Sequence, residues 1–145
     1  MSSIVTFFRA PDHTAALATA AVHGSTPWPG GLHYGNFDAD EALLSWEHLL
    51  TGRDFAAVLA DEHPEDVLPR DDEDGPLLLA ISPTLHTRLA TAEPALLSTT
   101  AARWTSELTA DGIEFDLRLA AEMLTSLSHL ARSGPTTDRL YCLLA

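Results

Sequence analysis

Residues 75–83 read Gly-Pro-Leu-Leu-Leu-Ala-Ile-Ser-Pro. An apolar run this short, closed on both sides by proline-containing pairs, is best read as a buried strand, although periodicity alone does not separate it from buried helix. Ser82-Pro83 then supplies an N-cap and a first-turn proline, whose missing N–H is not needed there, so a helix over 84–92 follows. A strand in the middle of the chain that feeds a helix sets the expected fold class, and the flanking segments fill it in.

Downstream, Glu93-Pro94 breaks the pattern. A helix over 95–110 then presents Leu97, Ala101, Trp104 and Leu108 on one face and ends at Gly112. The next helix, 114–132, carries Leu119, Met123, Leu127 and Leu130 in one stripe, widened by Leu117 and Leu124. Gly134-Pro135 ends it, and 139–144 reads as a terminal strand with Leu140, Cys142 and Leu144 on one face. Upstream, Asp38 offers an N-cap with Glu41 three residues on. Leu43, Trp46, Leu49 and Leu50 repeat at helical spacing before Thr51-Gly52. Trp46 and Trp104 are expected core anchors. Asp54 begins a short helical piece over 55–60.

The N-terminal part gives a strand over 3–8. Pro11 suits the first turn of a helix running through Ala15, Leu17, Ala18 and Val22 to Gly24. Residues 24–37, with two Pro and four Gly, form a long loop. The expected class is α+β: four to six helices covering one side of a small sheet of about three strands, formed by the N-terminal, central and C-terminal segments. Residues 1–145 are read as a single globular domain.

Charge narrows the partners. Twenty-one acids oppose eight bases, all Arg, for a formal charge of −13. Such a surface repels phosphate backbones and anionic lipid, so neither nucleic acid nor membrane is an expected partner. No apolar run approaches the about 18 residues that span a bilayer, and 1–19 lacks the features of a signal peptide. The lone Cys142 suits a reducing compartment, so a cytoplasmic location is expected.

Eight carboxylates fall within 61–74, beside one Arg. Unpaired charge is costly to bury, so residues of about 61–75 are expected to form a solvated surface loop, with Asp71, Asp72, Glu73 and Asp74 as a docking surface for a basic protein. A calcium reading fails on register: with Gly75 at the sixth position of an EF-hand loop, Arg70 and Ile81 fall where the first and twelfth ligands belong.

Other motifs are weaker. None of the seven histidines pairs with another at i,i+4, so no metal site is expected. Neither a nucleophile elbow nor a phosphate-binding loop is present, no cofactor is implied, and Cys142 reads as a buried strand residue. Trp28, His33 and Tyr34 of the 24–37 loop, with His23 flanking it, are candidates for lining a small-molecule site, with His23 as proton donor or acceptor and Asp12 or Asp38 nearby. The plainer reading is that the loop packs onto the core.

Four segments carry a resemblance: Phe7-Phe8-Arg9, Leu49-Leu50-Thr51-Gly52, Gly75-Pro76 and Ser82-Pro83. In this order the chain resembles the YfbM-like family of small bacterial proteins. The resemblance implies helices packed on a small sheet and brings no reaction or cofactor with it. Where the family's central helix carries Lys, Trp and His, this chain has Glu41, Leu43 and Glu47, so a shared polar site is not expected. Loosely, the resemblance implies an immunity-like or interaction role. The expected function is a non-enzymatic protein-interaction module. The alternative is a small-molecule site or enzyme on the 24–37 loop, and a homodimer is a third, plainer possibility.

Overall fold

The computed structural model describes residues 4–24, 26–35, 37–61, 64–68 and 75–145. In chain order these form β1 (Val5–Ala10), α1 (His13–His23), β2 (Leu32–Tyr34), α2 (Ala39–Thr51), α3 (Phe55–Ala60) and β3 (Glu65–Leu68). They are followed by β4 (Leu77–Ala80), α4 (Pro83–Thr91), α5 (Pro94–Ala110), α6 (Leu117–Arg132) and β5 (Arg139–Leu144). The α+β class is as expected. The sheet is larger: five strands in the order β2-β1-β5-β4-β3, every neighbouring pair antiparallel.

The three expected strands form its centre, with β5 between β1 and β4. The two extra strands are its short edges. β2 lies inside the stretch read as a loop, and β3 lies inside the stretch read as an acidic surface loop. Three or four residues hold too little periodicity to announce a strand, but the open edges of β1 and β4 leave backbone groups that need partners. β3 carries Glu65 and Asp66 exposed, with a register shift between Asp66 and Leu68, both of which protect an edge from further pairing.

Both faces of the sheet are covered, not one. Val5, Phe7, Leu79, Leu140 and Cys142 pack with α2, α4, α5 and α6. Phe8, Leu78, Ala80, Tyr141 and Leu143 pack beneath α1 and Trp28. Burial on both sides explains why 77–80 and 140–144 read as continuous apolar runs.

Local signals set the helix ends. Asp38 accepts from the Glu41 N–H at 3.1 Å to start α2, and Gly52, at φ 74°, ends it. Ser82 accepts from the Leu85 N–H ahead of Pro83 at the start of α4. At α1 the cap is Asp12, which accepts from the Ala15 N–H at 2.8 Å, so Pro11 precedes the helix instead of opening it. Leu17 and Val22 of α1 are exposed, and only Ala16 is buried. α6 starts at Leu117 behind Asp116, three residues later than its pattern suggests. Its inward stripe is Ala120, Met123, Leu124, Leu127 and Ala131, leaving Leu119 exposed.

Candidate functional site: an acid-rimmed aromatic cavity

A cavity of about 200 Å³ opens where the first turns of α2 meet the last turns of α5. Asp38, Glu41, Ala42 and Ser45 recur at helical spacing on α2, and Trp104, Glu107, Leu108 and Asp111 do the same on α5, so each helix turns one face to the space. The third wall is the connection to α6. Gly112, at φ 82°, donates its N–H to the Thr109 carbonyl at 3.0 Å, and Ile113 donates to Leu108 at 2.8 Å. This is a Schellman ending, which reverses the chain and brings Phe115 back over α5.

Aromatic rings make the floor. Trp104 and Phe115 have centroids 4.8 Å apart with planes at 54°, and Phe37 lies 6.2 Å from Trp104 and 6.0 Å from Phe115 at 70° and 77°. Behind them Trp46 is fully buried, 5.1 Å from Trp104, as expected of a core anchor. Trp46 Nε1 finds no hydrogen-bond partner among the described residues.

Carboxylates make the rim. Asp38, Glu41, Glu107, Asp111 and Glu114 all line the cavity, and among the described residues no basic side chain does. Glu107 and Asp111 sit at the negative end of the α5 dipole, whose last turn holds no basic residue. Among the described residues, no three or more His, Cys, Asp or Glu side chains are placed together to hold a metal ion. The acids thus ring an opening and do not converge on a point.

The sequence-predicted residues fall elsewhere. Asp71, Asp72, Glu73 and Asp74 lie outside the described residues. His23, Trp28 and His33 do come together: His23 stacks on Trp28 at 4.6 Å, and Trp28 meets His33 edge-on at 4.9 Å. Tyr34 points to the opposite face of the sheet, against Phe7, where burial pushes its hydroxyl pKa up and a hydrogen bond with Ser126 opposes that.

Both His33 nitrogens are engaged. Nδ1 lies 3.1 Å from Thr6 Oγ1, and Nε2 lies 3.0 Å from both the N–H and the carbonyl of Trp28, so either neutral tautomer is satisfied. Gly31 allows this fit, because a Cβ there would stand 3.0 Å from the His33 ring and 3.1 Å from Trp28. Asp12 and Asp38, read as nearby acids, serve as helix caps.

A further cluster escaped the sequence reading. His13 Nε2 lies 3.3 Å from Glu65 Oε2, an acceptor, so in the neutral ring Nδ1 receives the Tyr141 hydroxyl proton at 2.8 Å. Tyr141 is fully buried, and burial pushes its pKa up, so the three tie α1 to β3 and β5. Cys142 is fully buried between Leu140 and Leu144 on β5, as read, and its burial pushes the thiol pKa far up.

No family model matches the chain, and no curated protein or solved structure matches it. Among the described residues, no helix is long and apolar enough to cross a membrane.

Proposed function

We propose that the protein is a non-enzymatic interaction module that binds a basic protein partner, with the cavity between α2 and α5 as its anchoring site. The observation that carries this reading is the cavity's lining: five carboxylates around a floor of three aromatic rings, without a basic residue among the described ones. The formal charge of −13, to which Asp71, Asp72, Glu73 and Asp74 contribute, adds long-range attraction for a basic partner. A cytoplasmic location belongs to the same proposal and rests on the single, unpaired Cys142.

Membership of the YfbM-like family is likewise a proposal. The segments that carry the resemblance fall in β1, at the end of α2, just before β4 and at the start of α4, which are fold-forming places outside the cavity. An immunity-like role goes no further than that resemblance. His23 at the end of α1, Trp28 and His33 of β2 pack against one another, and Trp28 and His33 against β1, which favours the interaction reading over the loop-based small-molecule one.

The test is fluorescence anisotropy with a labelled peptide of alternating Arg and Gly over a salt series. Wild type is compared with E41Q/E107Q/D111N and, separately, with D71N/D72N/E73Q/D74N. Binding that weakens with salt and is lost in the first variant supports the cavity. Equal binding by wild type and both variants overturns the proposal.

A further inference from the structure

We infer that the group seated in the cavity is an arginine side chain presented by the partner. This rests on the reading that the cavity binds a basic protein, and it names the chemistry of the contact. Size is the first argument. At about 200 Å³ the cavity falls below the roughly 300–1,000 Å³ of pockets that enclose drug-sized molecules, and it matches a single inserted side chain.

The lining is the second argument. Phe37 and Phe115 are half-buried and inclined at 77° to one another, so the floor offers aromatic faces in more than one plane. A cation over such faces is held by the ring quadrupole. Guanidinium is planar and weakly hydrated, and it stacks on rings while its five N–H donors remain available at its edge. Ammonium is compact and strongly hydrated, and gives up more solvation to reach an apolar floor.

The rim is the third argument. Carboxylates stand on both sides of the opening, Glu41 on α2 and Glu107 with Asp111 on α5, and they do not gather around one point. Acids on two separate helices suit a donor fork whose N–H groups point in different directions, and a quaternary ammonium has no N–H to offer them. The two helix ends treat these acids differently: Asp38 and Glu41 stand at the positive end of α2, whereas Glu107 and Asp111 stand at the negative end of α5. Its carbonyl-rich terminus and its two carboxylates have the same sign, and its last turn brings no base to offset them.

The experiment is a titration of the full chain, uniformly ¹⁵N-labelled, with N-acetyl-arginine methylamide and N-acetyl-lysine methylamide at constant ionic strength, following the Trp104 indole N–H. The expected result is a saturable shift at Trp104 with arginine binding about fivefold or more tighter than lysine, abolished in E107Q/D111N. Both substituted residues are exposed, so the fold is retained. Equal affinity for the two probes overturns the arginine assignment while leaving the basic-partner reading in place. Absence of a saturable response to either probe, with the alternating Arg and Gly peptide still captured by wild type, moves the contact away from the cavity and overturns this inference together with the cavity's anchoring role, leaving only the basic-partner reading in place. Failure of probes and peptide together overturns that reading as well.

Discussion

The ring of Phe115 lies 4.8 Å from that of Trp104 across the reversal at Gly112. Two residues on different sides of a helix ending thus form one wall of the cavity, and the left-handed glycine between them sets their spacing. Gly112→Ala has open space for its methyl group but must adopt φ 82°. We expect a loss of about 1–2 kcal/mol and a changed Trp104 emission, checked by urea denaturation followed by tryptophan fluorescence.

Arg9 closes the far end of α6. Its Nη1 donates to the carbonyls of Leu130 and Ala131, each at 2.8 Å, Nη2 donates to the Pro135 carbonyl, and Nε approaches Asp138 at 3.4 Å. A single planar fork thus ties the last-turn carbonyls of α6, which also accept from Ser133 and His86, to the Pro135 carbonyl and the Asp138 carboxylate beyond it. Arg9→Ala is expected to lower stability by about 2–4 kcal/mol, and Arg9→Lys to restore only part of it. The urea midpoints of the two variants check this, and full recovery by lysine would show that charge alone matters.

His86, in the α4 turn facing β5, has its pKa lowered, mainly by burial, with Arg9 and Arg139 adding to that. Its bond to the Ala131 carbonyl and nearby Asp138 oppose the shift. The unfolded chain therefore takes up this proton first. As pH falls below about 6.5 toward the folded value, the unfolded state binds more protons and stability declines; above that range this group adds no slope. In His86→Gln that part of the decline should vanish, read from denaturation midpoints between neutral and mildly acidic pH.

Glu107 and Asp111 add negative charge to the negative end of α5. Neutralising them is expected to raise stability by about 0.3 kcal/mol or more at low salt, with the gain shrinking as salt rises. The same substitutions should remove binding. Opposite signs for stability and binding would mark these acids as kept for a ligand. Chemical denaturation of E107Q/D111N at two ionic strengths measures the first half.

Much of the fold was legible because its signals are local. Asp38 with Gly52, Ser82 with Pro83, and the apolar run after Gly75-Pro76 mark boundaries through capping and backbone chemistry acting over a few residues. The edge strands were not legible, since Leu32–Tyr34 and Glu65–Leu68 become strands only because β1 and β4 offer open edges. The start of α6 was less legible: residues 113–116 serve the reversal after α5, so the helix begins at Leu117 with Leu117 and Leu119 exposed, while Met123, Leu124 and Leu127 face the core as expected.

The cavity was hidden for the same reason. Glu41 and Glu107 are far apart in sequence and come to one cavity only through the packing of α2 on α5, whereas the dense acids near Asp71 are visible in the sequence itself. Asp38 and Glu41 were read as a capping pair, and Gly112 as a helix stop. Both readings hold: Asp38 caps α2 through the Glu41 N–H and Gly112 follows the end of α5, and Asp38 and Glu41 also stand on the rim.

Anchoring of a basic partner at the α2–α5 cavity is open to direct measurement. Its most direct measurement is calorimetric titration of the alternating Arg and Gly peptide into wild type and E41Q/E107Q/D111N at low salt. A saturable one-site isotherm is expected for wild type and none for the variant. Identical isotherms for the two proteins would contradict the anchoring.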